Sequence, residues 1–345
     1  MLCNRNPNPV FSKAVCYNNL IKERPLCLID VGARFGPQPL WQPLLRALKF
    51  IGFEFDEQEC NRLNAGYRQQ NLDIKFYPYA IYDSKTRKKF YVTNFPPSSG
   101  FIPGNPNFIG RFLTPLSNNL EIVKEIEVET ITIDNFIKDQ QLDYVDFIKI
   151  DVEGCEFSVL KGAQEGLSNV LGVATELNIG PLKDPDNFSN IDKLLRSYGF
   201  HLFDIDIARY PRKALPRGYL SFEGNSCKID YPSKYGQILS GDAVYLRDPI
   251  FERNNGLKYF AWNDMNVLKM AMLYELYMLQ DCAIELLQEY QSNFSSDLPF
   301  NHFYDLLTPL IDRIGRVSYN DYIHVSNSLY WHELEGPKSQ YIIKR

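Results

Sequence analysis

The chain has 345 residues, of which 45% are hydrophobic and 23% charged, with a formal charge of −5. This suits a globular protein with a sizeable core, and the length predicts one large domain with an appendage, or two domains. The negative charge argues against a phosphate backbone as partner, so no nucleic-acid partner is expected, and no window reaches the apolar length of a membrane span.

Met1 to Pro9 carries Arg5, Pro7 and Pro9 and no apolar h-region, so no secretory signal is expected; residues 1–24 read as a polar lead-in. Seven cysteines, an odd number without a C-x-x-C pair, fit a reducing cytoplasm. None of the four histidines lies in a zinc-binding spacing, and no metal site is assigned.

The first strong element is the apolar run Leu26 to Val31, which stops at Asp30-Val31-Gly32-Ala33-Arg34-Phe35-Gly36. It reads as a strand followed by a glycine turn, where the backbone can approach a ligand closely. Leu40 to Lys49 predicts a short helix, and Phe50 to Phe55 a strand that ends in Glu54, 18 positions beyond Gly36. A carboxylate there can accept both hydrogen bonds of a ribose diol. The pattern is G-x-x-x-G, not the dinucleotide G-x-G-x-x-G, which disfavours a pyrophosphate-containing cofactor.

Strands are predicted at Ile74 to Ile81, Lys88 to Thr93 and Ile126 to Ile133, with Asp134 as the cap of a short helix. Asn94 to Asn107, rich in Pro, Gly, Ser and Asn, is a loop long enough to serve as a lid. Phe147 to Ile150 is an apolar strand. It runs into Asp151-Val152-Glu153-Gly154-Cys155-Glu156, and Phe157, Leu160, Ala163 and Leu167 then fall at helical spacing. Three carboxylates thus gather at the carboxyl end of a strand, where open α/β sheets bind their ligands. Lys149 lies inside that strand and is expected to reach a carboxylate or the sheet edge.

Val170 to Leu177, Phe200 to Ile207 and Ala243 to Arg247 supply further strands, with a helix from Ser189 to Tyr198 between them. Alternating strands and helices from 26 to 177 predict a parallel sheet covered on both faces. Beyond Pro249 the spacing of Val267, Met270, Ala271, Tyr274 and Met278, and then of Ile284, Leu287 and Tyr290, predicts a helical hairpin. Phe303 to Ile314 and Tyr319 to Leu329 add two more helices.

Leu28-Ile29-Asp30-Val31-Gly32-Ala33, Phe53-Glu54, Val128-Glu129-Thr130 with Asp134, and above all Asp146-Phe147-Ile148-Lys149-Ile150-Asp151-Val152-Glu153-Gly154-Cys155-Glu156 with Leu160-Lys161-Gly162-Ala163 resemble the FkbM-type family of S-adenosylmethionine-dependent methyltransferases. The resemblance implies an α/β fold: a Rossmann-like class I methyltransferase sheet of about seven mostly parallel strands over residues 25–249, followed by an α-helical C-terminal subdomain over 250–345. It implies S-adenosylmethionine as cofactor and a hydroxyl of a saccharide, glycoside or natural-product alcohol as acceptor. By position, Asp30, Gly32, Ala33 and Gly36 would line the cofactor's methionine and ribose side. Glu54 would take the ribose diol, and Ala80 to Asp83 would lie near the adenine. Arg34 stands where the family often shows Asn and is expected to point to solvent. Asn178 stands where related proteins often place a histidine base.

Methyl transfer requires alignment of oxygen, methyl and sulfur, which can supply on the order of 7 to 11 kcal/mol, and a base that adds about 10² to 10⁴-fold. Asp151 is the first candidate for base or acceptor anchor, with Glu153 and His201 as further catalytic candidates; Glu156 reads as a helix start complementing the helix dipole. A nicotinamide-dependent oxidoreductase is the rival enzyme. A non-catalytic methyltransferase-like scaffold, binding partners through its helical tail, is the rival of another class. The C-terminal helices are expected either to cover the acceptor site or to form a homodimer interface.

Overall fold

The computed structural model describes residues 5–112, 118–183, 187–215, 219–223, 226–230, 236–294, 298–311 and 314–335, the side chains of 219–230 and 328–335 excepted. The start of the lead-in with Cys3, residues 312–313 of the expected third C-terminal helix and the last ten residues lie outside them. Two compact units result: Arg5 with Ile21–Trp262, and Asn6–Leu20 with the described residues from Asn263 on.

In the first unit the strands, in chain order, are β1 Leu26–Val31, β2 Leu48–Phe53, β3 Asp73–Tyr77, β4 Ala80–Ile81, β5 Arg87–Thr93, β6 Ile122–Ile131, β7 Phe147–Ile150, β8 Gly172–Asn178, β9 Phe200–Tyr210, β10 Tyr219–Glu223, β11 Ser226–Asp230 and β12 Gln237–Arg247. Seven form one sheet in the order β3-β2-β1-β7-β8-β12-β9. The first five run parallel, and β12 is antiparallel to both of its neighbours. The order reverses between β1 and β7, and such a switch point opens a crevice at the carboxyl ends of the two strands. Separately, β4, β6 and β5 make a three-stranded sheet, and β10 pairs with β11.

All six residues of β1 and all four of β7 are buried, as expected of strands covered on both faces. One face carries Ile29, Val31, Ile148, Ile150, Val173 and Leu177 into the main core with Val159, Leu160, Leu167, Ile191 and Leu195. The other holds Phe147, edge-on to Trp41 at 5.4 Å, and Phe50 against Phe76 at 5.6 Å. Arg247 is fully buried and donates to the carbonyls of Val170, Tyr198 and Leu167 at 2.7–2.9 Å, tying the ends of the helices on that side to the sheet. Burial pulls its pKa down to about 10, opposed by Glu252.

Several local expectations shift. The helix at Leu40 to Lys49 is a 3₁₀ helix, Pro39–Ala47, because Pro43 inside it lacks the donor that an α-helix needs. A helix absent from the sequence reading, Glu57–Arg68, buries only Cys60 and Leu63; too few apolar residues mark its face, and its signal is the cap, Asp56, which accepts from Gln58 N and Glu59 N. Thr132, not Asp134, caps Ile133–Asp139. Asp134 accepts instead from Glu165 N (3.0 Å) and Gly166 N (2.9 Å), at the start of Gln164–Asn169.

The second unit contains the helices Val10–Tyr17, Asp264–Leu276, Gln280–Tyr290, Phe300–Leu307 and Tyr319–Glu335. The lead-in thus contains a helix, and it is held at its start by a buried carboxylate: Glu275 accepts from Phe11 N (2.9 Å), Ser12 N (2.7 Å) and Ser12 Oγ (2.6 Å). Phe11 packs edge-on against Phe303 at 5.2 Å.

Candidate active site

A cavity of about 300 Å³ opens at the carboxyl ends of β1 and β7. One wall is Asp30 to Gly36 with Glu54, the other Asp151 to Glu153, and Ala80, Phe101 and the loop residues Pro96 and Ser99 complete it. The two turns touch. Gly32 has a φ of +86°, and a Cβ placed there would stand 2.0 Å from the carbonyl oxygen of Asp151. Only glycine adopts that torsion cheaply and leaves the second turn its place.

Beneath the cavity the register sets Asp30 beside Lys149. Lys149 Nζ lies 3.0 Å from Asp30 Oδ1 and 3.4 Å from Asp151 Oδ2. Burial works against the lysine's charge, but the two carboxylates outweigh it and hold the ammonium protonated. Asp30, 1% exposed, has its carboxyl pushed up by burial, with Lys149 opposing. This ion pair therefore joins the two walls.

Glu54 is 5% exposed, and Oε1 accepts from Asp56 N at 2.8 Å. Burial raises its pKa, while the Asp56 amide and Arg34 pull it down. Arg34 does not point to solvent: its Nη1 lies 3.7 Å from Glu54 Oε1 and 3.6 Å from Asp56 Oδ2. Glu54 just past the end of β2 and Asp56 at the cap of the next helix together hold the cation, a pairing that a one-strand reading cannot see.

The second turn is built by Glu156. This fully buried carboxylate accepts from Val152 N (3.2 Å) and Gly154 N (2.9 Å) through Oε1 and from Asn187 Nδ2 (3.0 Å) through Oε2. Asn187 Oδ1 in turn accepts from Asn178 N at 2.9 Å. Burial lifts the Glu156 pKa to about 7, with the Gly154 amide opposing. It is the clamp of the turn, more than the helix start expected from its position. Glu153 sits at a φ of +60° and Gly154 at +104°, and Lys183 lies across them, donating to Glu153 O (2.7 Å), Glu153 Oε2 (3.2 Å) and Ser98 O (3.2 Å). Lys183 so fastens the Asn94 to Asn107 loop to the turn. Glu176, on β8, joins this side: carboxylate oxygens of Asp151, Glu153 and Glu176 all lie within 4.8 Å of one another.

Asp30, Gly32, Gly36, Glu54, Ala80, Asp151 and Glu153 all line the cavity, and Ala33 lies buried behind them, its amide donating to Phe53 O at 2.9 Å. Asp83 does not line it; it pairs with Lys161 at 3.1 Å, outside the lining. His201 is at the wrong end of the sheet. Because β9 runs parallel to β8, its second residue pairs with Leu246, which faces Gly172 at the amino end of β8, and the imidazole packs edge-on against Phe251 at 4.8 Å. Lys183 and Glu176 escaped the sequence reading. Only the place of Glu176 near the end of β8 hinted at a role; nothing in the composition around Lys183 marks it.

The FkbM methyltransferase domain matches residues 30–202, half of the chain. The chain belongs to the FkbM methyltransferase family. Its members depend on S-adenosylmethionine, and the seven-stranded, mostly parallel sheet of this chain is the class I methyltransferase sheet. No curated protein matches the chain. Among solved structures it is similar to a magnesium protoporphyrin IX methyltransferase from Synechocystis PCC 6803 with bound S-adenosylmethionine (11% identity, 70% of this chain and 77% of that one, TM-score 0.33). It is also similar to a putative RNA methyltransferase from Pyrococcus horikoshii (10%, 71% and 87%, 0.31) and to a putative precorrin-6Y C5,15-methyltransferase domain from Corynebacterium diphtheriae (9%, 68% and 95%, 0.32). Among the described residues of this FkbM methyltransferase, no helix is long and apolar enough to cross a membrane.

Proposed function

We propose that this FkbM methyltransferase is an O-methyltransferase acting on a hydroxyl of a saccharide, glycoside or natural-product alcohol. The observation that carries the reading is the two-walled cavity, with a glycine turn and Glu54 on one side and the Asp151–Glu153 turn on the other. The first wall fits the cofactor. Gly32 leaves room where a side chain would collide, and Glu54 has one oxygen engaged by the Asp56 amide and the other free of partners among the described residues. Asp30, Gly32, Gly36 and Glu54 would hold S-adenosylmethionine, Glu54 accepting from the ribose hydroxyls and Ala80 bounding the adenine side. When bound, the cofactor supplies a methyl group on a positively charged sulfur.

The second wall supplies the proton chemistry. Asp151, 42% exposed at its side chain, accepts the proton that an acceptor hydroxyl loses as its oxygen is methylated, and Lys149 keeps the carboxylate oriented. An alcohol is a weak nucleophile, so a base within reach of its proton favours oxygen as the acceptor atom. Carboxylates gathered on this wall, and the net charge of −5, favour a neutral polyhydroxylated acceptor over a nucleic acid. Calorimetric titration with S-adenosylmethionine and with NAD tests the cofactor: binding of the first alone is expected, and binding of NAD alone overturns the reading. Across a panel of glycosides and alcohols, Asp151→Asn is expected to lower transfer on the order of 10² to 10⁴-fold; unchanged transfer removes Asp151 from this role.

A further inference from the structure

Two glutamates flank the second wall, Glu156 fully buried and Glu176 half-buried, and their surroundings differ in kind. Glu156 has three N–H donors on its oxygens. Glu176 Oε2 is closed off from solvent, and no donor reaches it. Its neighbours are carboxylates, with oxygens of Asp151 and Glu153 within 4.8 Å. Those two each have an ammonium beside them: Lys149 stands 3.4 Å from Asp151, and Lys183 stands 3.2 Å from Glu153. Glu176 has no such ion pair among the described residues.

Most of the groups that act on Glu176 from the elements around it are acids or weak acids. On β12, Asp242 is its partner in the ladder, on the same face, and Asp206 of β9 pairs with Asp242 in turn. Glu156 lies in the helix that follows the turn, and Tyr210 at the end of β9 has its own hydroxyl pKa raised by burial and by Glu176 and Glu153. Lys183 is the cation on this side, and it is already spent on Glu153 and on two carbonyls. An ionised carboxylate oxygen buried without a donor is costly, and clustered carboxylates do not all ionise together. Each of the other two has its counter-charge, so the proton falls to Glu176.

We propose that Glu176 is a positioning residue for the acceptor-side base: it stands as a neutral carboxylic acid beside the Asp151 and Glu153 carboxylates, its O–H directed at them, and spares Asp151 a third negative neighbour. The proposal rests on Asp151 as the base. The direction of the Glu176 titration agrees with the geometry: burial first, and then Glu153, Asp151 and Glu156, push it well above the carboxylate range against the pull of Lys183. Because the three groups interact, the proton belongs to the cluster and Glu176 is its principal seat.

Carbon-13 NMR of the carboxyl carbons in the full chain, titrated from acid to alkaline pH with S-adenosylhomocysteine present, tests this without any acceptor. Glu156 is expected to ionise around pH 7, and a second glutamate to hold its proton after it. In Glu176→Gln, a neutral isostere, that signal disappears and the Asp151 signal stays as in the wild type. In the wild type, the Asp151 signal moves again as Glu176 ionises. A cluster of Asp151, Glu153 and Glu176 that ionises fully in the ordinary carboxylate range overturns the proposal, and so does a late-ionising glutamate other than Glu156 that survives Glu176→Gln. Loss of that proton on addition of Mg²⁺ or Ca²⁺ alone also overturns it, in favour of a cation held by the three carboxylates. Should Glu176→Gln fail to fold, Glu153→Gln decides: the protonated signal must persist there. Methyl transfer unimpaired in Asp151→Asn removes the catalytic reading but leaves the location of the proton as measured, so the two failures are distinct.

Discussion

The two walls of the cavity solve the same problem, a turn at the end of a buried parallel strand, by different means. The Asp30–Gly36 wall relies on backbone: a glycine at positive φ, amides donating to Phe53 O, and one engaged carboxylate, Glu54. The Asp151–Glu156 wall relies on side chains, with Glu156 clamping amides from inside and Lys183 strapping the turn from outside. A backbone-built wall suits a ligand that is always the same. Charge accumulated on the other wall suits proton chemistry, at the cost of buried carboxylates that need partners.

The largest expected effect comes where the walls meet. Gly32→Ala puts a methyl 2.0 Å from Asp151 O at a φ of +86°, which combines backbone strain with overpacking. A loss on the order of 3 kcal/mol or more is expected in urea unfolding. Gly66→Ala, with open space around its Cβ inside the helix Glu57–Arg68, serves as control and should gain about 0.5–1 kcal/mol. Equal, small effects at both positions would mean that the walls are not in contact.

A smaller effect separates the clamp from its surroundings. Glu156 binds its proton more tightly in the fold, with a pKa of about 7, than in the unfolded chain, where 4.5 is ordinary. Its contribution is therefore full below about pH 4.5 and is lost as the pH rises through 7. Thermal unfolding of wild type minus Glu156→Gln should show that decline; a difference that grows with pH over this window contradicts it. Smallest is Arg34→Ala. With its guanidinium on Glu54 and Asp56 and 27% of the side chain exposed, cofactor affinity should change by no more than about threefold. A loss beyond tenfold would move Arg34 onto the cofactor's carboxylate.

Most of the parallel sheet was legible because its strands are continuous apolar runs, and the first wall was legible because glycine and an acid at fixed spacing leave a mark in the sequence. The second wall was half legible. Asp151 and Glu153 stand together in the chain, whereas Glu176 and Lys183 reach them only through the pairing of β7 with β8 and a return loop. His201 misled for the same reason: its strand direction, not its residue type, puts it at the amino end of the sheet. The polar helix Glu57–Arg68 and the helix Val10–Tyr17 were missed because tertiary packing stabilises what their own periodicity barely signals.

The division of labour between the walls is tested most directly by calorimetric affinity for S-adenosylhomocysteine in wild type, Glu54→Gln and Asp151→Asn. Loss of a charged acceptor for the ribose diol should weaken Glu54→Gln by about ten- to a hundredfold, worth roughly 1.5–3 kcal/mol. Asp151→Asn should bind within a few-fold of wild type. Wild-type affinity in Glu54→Gln together with lost binding in Asp151→Asn would contradict the account and exchange the roles of the two walls.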